Sequence, residues 1–246
     1  WDAMCEVIAE RWDTVIDAVD GLIRSPEVDE EAVKAAAAEL AQAAEEPDEA
    51  ASAGGAETAD DPVLRFWSEV GIDPIRITSD LGEHYTLRCY LDDEPVFLGK
   101  GGRVDVFTSP RALVRHLAEH PGGHDLDAVS TWSRVTQRAA DRELAVAVDD
   151  ANNYVLSGLA DDLAGGPETV DPAQLELAVE LITDAERWAG SDAADKALAS
   201  SESLGWLVSF LLRPDPTRLA PSPPFDAEVA AWRALVGAFE DRLHVH

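Results

Sequence analysis

The first part of the chain spaces its apolar residues with the period of an amphipathic helix. From Trp1 to Ile23 they recur at intervals of three and four residues, which predicts a helix with one apolar face. A second helix is predicted from Asp29 to Ala44, because it opens with acidic residues that suit a helix start and continues through several alanines. We therefore expect a helical hairpin over residues 1–44.

The next segment carries no pattern that can form a core. Residues 45–61 combine acidic side chains with proline, glycine and alanine and contain no aromatic or large aliphatic residue. Such a composition cannot bury enough apolar surface to offset the entropy of ordering the chain. The sequence therefore predicts an acidic flexible linker over residues 45–61 and a domain boundary within it.

After the linker the apolar spacing changes from a helical period to alternation. A short helix is predicted over Val63–Val70, closed by Gly71. Alternating apolar residues separated by turn residues then predict strands. Residues 99–102, which include three glycines, predict a hairpin loop between the last two strands. The predicted strands contain Ile75 and Ile77, His84–Leu91, Pro95–Leu98 and Arg103–Phe107.

Two helices and a closing strand complete the predicted α+β domain over residues 62–150. Ser109 followed by Pro110 predicts a capped helix start, and the helix runs through His120. A second helix is expected over Ala128–Ala140. Leu144–Val148 then predicts a strand.

From Tyr154 onward the pattern is helical, in about five segments, and we expect this part, residues 151–246, to pack on the α+β domain. Leu204–Leu212 is apolar nearly all round, so we expect it to be the buried central helix, with Trp206 in the core. The last helix is predicted to begin at Asp226 and to continue its apolar seam through Leu243. The fold class is therefore α+β, with an N-terminal helical hairpin, a small antiparallel β-sheet with helices, and a helical C-terminal part.

The charge of the chain is large and unevenly distributed. The formal net charge is −30, yet residues 62–142 hold ten basic and twelve acidic side chains, so the centre is close to neutral and the flanks are anionic. Acidic flanks repel duplex DNA and anionic lipid and attract basic partners. A surface adapted to high salt is the alternative explanation of this charge.

The compartment is predicted from cysteine use and hydropathy. Cys5 and Cys89 lie far apart on opposite sides of the linker, which favours reduced thiols over a disulfide framework. The sequence contains no run of about eighteen apolar residues. These features favour the cytoplasm and no membrane partner.

Histidines near the end of the first central helix have the spacing of a possible metal site. His116, His120 and His124 are spaced four residues apart, and imidazoles one helical turn apart can share a divalent ion. We therefore name these three residues as a candidate site for a divalent metal ion. No other cofactor is predicted. A surface helix whose last turn is rich in histidine, which the helix dipole favours, explains the same residues.

Arginines recur at the same interval of four residues in the two central helices. If the helices lie side by side, their guanidinium groups share one face that can take phosphates or another anion. An acidic segment of the same chain is an alternative partner for this face. The candidate anion-binding residues are Arg111, Arg115, Arg134, Arg138 and Arg142.

The sequence contains no motif that specifies a reaction. No Gly-x-Ser-x-Gly elbow and no dinucleotide glycine fingerprint occur, so no catalytic residue is assigned and an enzyme is the less favoured interpretation. Among the seven tryptophans, three lie near predicted element ends, where aromatic side chains can anchor a partner. These candidate partner-binding residues are Trp67, Trp132 and Trp188.

The stretch Leu91–Gly99, followed by Val104–Pro110 and a helix, resembles an uncharacterised family of acidic actinobacterial proteins, some of which are labelled primosomal protein. The resemblance covers the chain from Asp61 onward and implies a replication or transcription setting. The hairpin that ends in Phe-Thr-Ser-Pro is also similar to the start of SseB-type domains. Neither family implies catalytic residues for this chain.

These observations favour a non-enzymatic interaction or regulatory protein. Its acidic flanks would engage a basic surface on a partner from a replication, transcription or translation complex, because acidic side chains spread over a folded surface can imitate the phosphates of DNA. The alternative is a small enzyme or ligand-binding domain that uses the central histidines and arginines for a metal or an anionic ligand.

Overall fold

The structure is a computed structural model that describes residues 61–213, 215 and 217–246. These residues belong to one compact unit. The predicted hairpin over residues 1–44, the predicted linker before Asp61 and Cys5 lie outside the described residues. Within the described part of the chain, no helix combines the length and the apolar character needed to cross a membrane.

The first described helix has the ends that its sequence predicts. Helix α1 spans Pro62–Val70, and the Asp61 carboxylate accepts a hydrogen bond of 2.7 Å from the Val63 amide. Gly71 ends the helix with φ of 66°, a left-handed conformation that glycine adopts without steric cost. The buried face of α1 carries Phe66 and Trp67.

Four strands form the main sheet in the order β3-β2-β1-β6. Strands β1 (Asp73–Ser79), β2 (Gly82–Leu91) and β3 (Glu94–Phe97) are antiparallel neighbours. Strand β6 (Asn153–Val155) pairs with β1 in parallel, so the sheet is mixed and not the antiparallel sheet that the sequence predicts. The sequence predicted the first three strands but not β6, because a three-residue strand exists only through its long-range partner.

A second sheet has the order β4-β5-β7. Strands β4 (Gly99–Lys100) and β5 (Arg103–Val106) form the predicted hairpin, with positive φ angles at both glycines of its two-residue turn. Strand β7 (Leu243–Val245) pairs with β5 in parallel. The prediction of a helix through Leu243 is therefore wrong, since the last helix ends at Glu240.

The two central helices follow the hairpin. Helix α2 spans Pro110–Glu119, and the Ser109 side chain accepts a hydrogen bond from the Ala112 amide, as the capping motif predicts. Helix α3 spans Trp132–Ala140, after a 3-10 turn at Asp125–Ala128.

The strand predicted over Leu144–Val148 is wrong. The segment joins neither of the two sheets. Its Ala145 carbonyl instead accepts a hydrogen bond of 3.0 Å from the Trp67 indole. The alternation of apolar residues in this segment therefore reflects packing against the helices. It does not reflect pairing with another strand.

Five α-helices follow Tyr154 in the described part of the chain, in agreement with the predicted number of about five. The longest, α5, begins after Asp171, whose carboxylate accepts a hydrogen bond from the Ala173 amide. The described helices of this part are α4 (Leu159–Gly165), α5 (Pro172–Trp188), α6 (Ala193–Ala197), α7 (Ser203–Leu212) and α8 (Asp226–Glu240).

Helix α7 is not the fully buried helix that its apolar sequence predicts. Trp206 is 38% exposed, which corrects its expected place in the core. Its ring stacks on Phe210, and the Arg218 guanidinium lies 5.6 Å from the Trp206 ring centroid. Packing therefore covers only one side of α7, and a cation and a second aromatic ring cover part of the other.

Two hydrophobic clusters lie on opposite faces of the main sheet. One joins sheet residues such as Ile75 and Phe97 to the later helices, including Leu181 of α5. The other packs α1, α2 and α3 against Leu87 and Cys89 of β2. The structure is α+β, and the first of these clusters joins residues on both sides of the predicted boundary at residue 150.

Candidate functional site

An acidic cleft opens where α1, the start of β1 and the segment before β6 meet. Its volume is about 690 Å³. Glu69, Asp73 and Asp149 line it, together with Arg65 and the ring of Tyr90. Tyr90 is 44% exposed, so the cleft offers an aromatic surface beside its carboxylates. We call this region the acidic cleft.

Asp73, at the start of β1, lines the acidic cleft. It is half-buried, and burial raises the pKa of its carboxyl group above the ordinary value. The charge of Arg88 acts in the opposite direction, but the negative charges of Asp149 and Glu180 add to the increase in pKa. A cation in the cleft would relieve this repulsion.

A buried polar network lies behind Tyr90. Arg88, whose side chain is 4% exposed, donates hydrogen bonds of 2.8 Å to Glu180 and 3.0 Å to Asp184. Its second terminal nitrogen donates to the hydroxyl of Tyr154, and the Tyr90 hydroxyl donates to Asp184. Burial raises the pKa of Asp184. This network fixes the wall of the acidic cleft to helix α5.

The arginines predicted to share one face separate into two groups. Arg111, Arg115 and Arg142 line one groove of about 720 Å³, whose floor includes Val114 and Leu144. This arginine groove therefore combines three guanidinium groups with an apolar floor.

The other two predicted arginines lie against α1. The guanidinium groups of Arg134 and Arg138 lie 5.8 and 4.0 Å from the ring centroid of Phe66, and Arg134 also pairs with Glu69 at 2.9 Å. These contacts bind α3 to α1, so the structure assigns both side chains to packing rather than to the arginine groove.

The predicted histidines also separate. The rings of His116 and His120 stack with centroids 4.8 Å apart. His124 is buried, with its ring edge-on to Trp132 at 4.7 Å and neither ring nitrogen hydrogen-bonded. Burial lowers the pKa of both His116 and His124. The ligand atoms of the predicted trio do not lie close together.

One group among the described residues does bring three ligand atoms within 4.8 Å of one another, and it consists of Asp105, His244 and His246. His244 Nδ1 and His246 Nε2 each lie 2.9 Å from Asp105 Oδ1. Burial opposes the charge of Asp105, but the hydrogen bonds to His246 and His244 prevail, so the pKa of the carboxyl lies below its ordinary value. The ring of His116 lies 4.7 Å from that of His246.

The proposed tryptophan anchors are mostly unavailable to a partner. Trp67 and Trp132 are buried, and their indole nitrogens donate to the carbonyls of Ala145 and Pro121. Trp188 is half-buried and packs on Phe97. The anchor hypothesis is therefore wrong for Trp67 and Trp132, whose positions near element ends reflect their role in closing the core.

Cys89 is a core side chain. It is buried and unpaired, and burial raises the pKa of its thiol to about 11. The thiolate is the nucleophilic form, and both burial and the raised pKa disfavour it at neutral pH. Cys89 therefore contributes packing to the core.

Comparison with known proteins identifies the family. Residues 72–240, more than half of the chain, match the family model described as the SatS C-terminal domain. The chain belongs to the SatS C-terminal domain family. No curated protein matches the chain.

A solved structure supports the same assignment. A crystal structure of the SatS C-terminal domain in complex with bromine is 49% identical to this chain, with a TM-score of 0.70. The match covers 74% of this chain and 97% of that one. Neither SatS match carries a primosomal or an SseB name, so those two resemblances stay predictions.

Sequence reasoning missed Asp105, His244 and His246. The signal was the alternation of His-Val-His, which places two imidazoles on one face of a strand. It was missed because the apolar seam of the last helix was extended through Leu243. The SatS family match also ends before these histidines, at residue 240.

Proposed function

We propose that this chain is a non-enzymatic interaction protein that binds a basic partner protein through its acidic surface. The observation that carries the proposal is the acidic cleft itself, which is lined by Asp149 and by the half-buried Asp73 beside the exposed Tyr90. A lysine or arginine side chain of a partner would neutralise this cluster, and the exposed ring of Tyr90 would pack against its stem.

The partner belongs to the class that handles nucleic acid. Such proteins carry basic surfaces for phosphates, and acidic side chains on a folded surface can occupy those surfaces as DNA does. The sequence resemblance to proteins labelled primosomal supports a replication setting, and the cytoplasm is the compartment that the sequence favours. The −30 net charge supplies long-range attraction for the encounter.

A binding experiment with the full chain tests this function. A short oligoarginine peptide should bind at low salt and dissociate at high salt, because exposed charges are screened over about 8 Å at physiological ionic strength. We expect the variant Asp73→Asn/Asp149→Asn to weaken binding by about tenfold, since each lost charge contact contributes up to about 1 kcal/mol. Tryptophan fluorescence titration measures both effects, and a pull-down with mass spectrometry names the partner.

The matched control removes the same charge elsewhere. Glu168 and Asp195 are exposed acidic residues outside the lining of the acidic cleft, so Glu168→Gln/Asp195→Asn should bind the peptide nearly as the unmodified chain does. Equal weakening in both variants would show a diffuse charge effect and exclude the cleft. Absence of binding at low salt would refute the proposed function itself.

A second function is favoured by the arginine groove. Three guanidinium groups above an apolar floor fit a small anion with an apolar body. An aromatic sulfonate dye should bind there with a rise in fluorescence, and Arg111→Gln/Arg115→Gln should remove most of that rise. Undiminished fluorescence in this variant would assign the dye to another surface.

A further inference from the structure

We propose that Asp105, His244 and His246 form a binding site for a divalent transition-metal ion, with Zn²⁺ as the expected ion. The two imidazole nitrogens converge on one carboxylate oxygen at 2.9 Å each. Ligand atoms around a tetrahedral zinc, with bonds of 2.0–2.1 Å, lie about 3.3 Å apart. A small outward shift of each side chain therefore makes room for the ion.

The backbone holds the three ligands in place. Asp105 of β5 lies directly opposite His244 of β7 in the parallel register, and His246 follows two residues later on the same face. The His246 amide donates to the Val106 carbonyl at 3.0 Å, and the Thr86 hydroxyl donates to the Asp105 carbonyl at 2.7 Å. The paired strands β5 and β7, with the residue that follows β7, thus supply the three ligands.

Space for further ligands lies beside His246. A small cavity of about 170 Å³ is lined in part by His116, Glu119 and His246. Three protein ligands and one open position are the usual arrangement of a zinc site that is accessible to water. Water can fill the fourth position.

The donor types select the class of metal. Two imidazoles and one carboxylate favour zinc, nickel or copper, whereas magnesium and calcium prefer oxygen ligands alone. The ligands are only partly exposed, at 24% for the Asp105 side chain and 45% and 30% for those of His244 and His246. An ion can therefore reach the site without unfolding the protein.

The alternative for the same geometry is a metal-free pair of hydrogen bonds to Asp105. Neutral imidazoles can donate one N–H each to the carboxylate. Such bonds need no ion, and their strength would not respond to added zinc. Metal titration distinguishes the two arrangements directly.

The experiment uses the full chain without a histidine tag, freed of metal by a chelator and titrated with zinc chloride in a calorimeter. We expect one ion per chain and a rise in the thermal midpoint, because an ion that binds only the folded state stabilises it. His244→Gln/His246→Gln should weaken zinc binding by at least about 100-fold, and Asp105→Asn by at least about tenfold. Cobalt in place of zinc should give the visible bands of tetrahedral coordination.

The matched control is the helix pair. His116→Gln/His120→Gln also removes two histidines, yet it should keep tight one-to-one binding, because the three ligands on the strands remain. Loss of binding in this variant alone, or equal loss in both variants, would overturn the proposal and favour the helix pair. Absence of zinc binding by the unmodified chain would refute the metal site and support the metal-free hydrogen bonds to Asp105. Circular dichroism of each metal-free variant checks its folding, and Asp105→Asn serves if the double variant does not fold.

Discussion

Replacing Arg88 with methionine is expected to lower the free energy of unfolding by about 3–5 kcal/mol. The substitution leaves Asp184, which is buried, without the guanidinium that now lies 3.0 Å away. It also removes the donors to Glu180 and to the Tyr154 hydroxyl. An uncompensated buried carboxylate is among the costliest single defects in a folded protein.

Urea denaturation at pH 7 measures this loss, and Arg76→Met is the matched control. Arg76 lies on the neighbouring strand β1 and is half-exposed, with contacts to Asn153 and Glu83, so its replacement should cost about 1 kcal/mol or less. Similar losses in the two variants would show that the buried network contributes no more than a surface pair.

The loss of folding stability in the Arg88→Met variant should also depend on pH. Burial already raises the pKa of Asp184, and the missing guanidinium would raise it further. A carboxyl group whose pKa is higher in the folded state favours folding while it is protonated, and this contribution is lost as the pH rises through the folded-state pKa. The deficit should therefore shrink as the pH is lowered from 7 toward the ordinary pKa of aspartate. A deficit that grows on acidification would contradict this account.

Two glycines inside helices are expected to respond to alanine in opposite directions. A Cβ atom at Gly205 of α7 would lie 2.1 Å from the Ala199 carbonyl oxygen and 2.4 Å from that of Leu198. These are backbone atoms, so the preceding loop must move, and we expect Gly205→Ala to destabilise the protein by about 2–3 kcal/mol.

Gly237→Ala is the matched comparison. Gly237 lies in α8, and a Cβ atom there has no neighbour within 4 Å. Alanine has the higher helix propensity, so this variant should gain about 0.5–1 kcal/mol. Thermal and urea unfolding measure the change in stability of both variants. A stabilised Gly205→Ala variant would contradict the prediction and mean that the loop before α7 moves aside at no cost in free energy.

Elements set by local chemistry were predictable from the sequence. Helices α1, α2 and α5 begin at an aspartate or serine followed by proline, and each cap forms the expected hydrogen bond. Gly71 ends α1 and the double glycine closes the β4–β5 hairpin. In each case a few neighbouring residues determine the backbone conformation, so no distant contact is needed to predict it.

Elements set by distant contacts were not predictable. Strands β6 and β7 each have three residues and pair with strands far earlier in the chain. The exposed ring of Trp206 was missed for the same reason, since an apolar helix sequence does not reveal which of its sides has a neighbour. Local patterns carry no information about such pairings.

The candidate site was predictable only in part. The spacing of four residues correctly placed Arg111 and Arg115 on one helix face, and Arg142 joins them at the same groove. Arg134 and Arg138 also share one helix face, but that face packs on Phe66 of α1 and does not line the groove. The carboxylates of the acidic cleft come from separate segments, so only the folded chain brings Asp73 and Asp149 together.

The parallel pairing of β7 with β5 has a consequence for synthesis on the ribosome. Asp105 and His244 meet across 139 residues of chain, so the second sheet stays incomplete until translation has passed β7. Until then β5 has a free edge that can pair with other chains. The second sheet is therefore completed only after translation of the last helix, and the net charge of −30 disfavours association between nascent chains in the meantime.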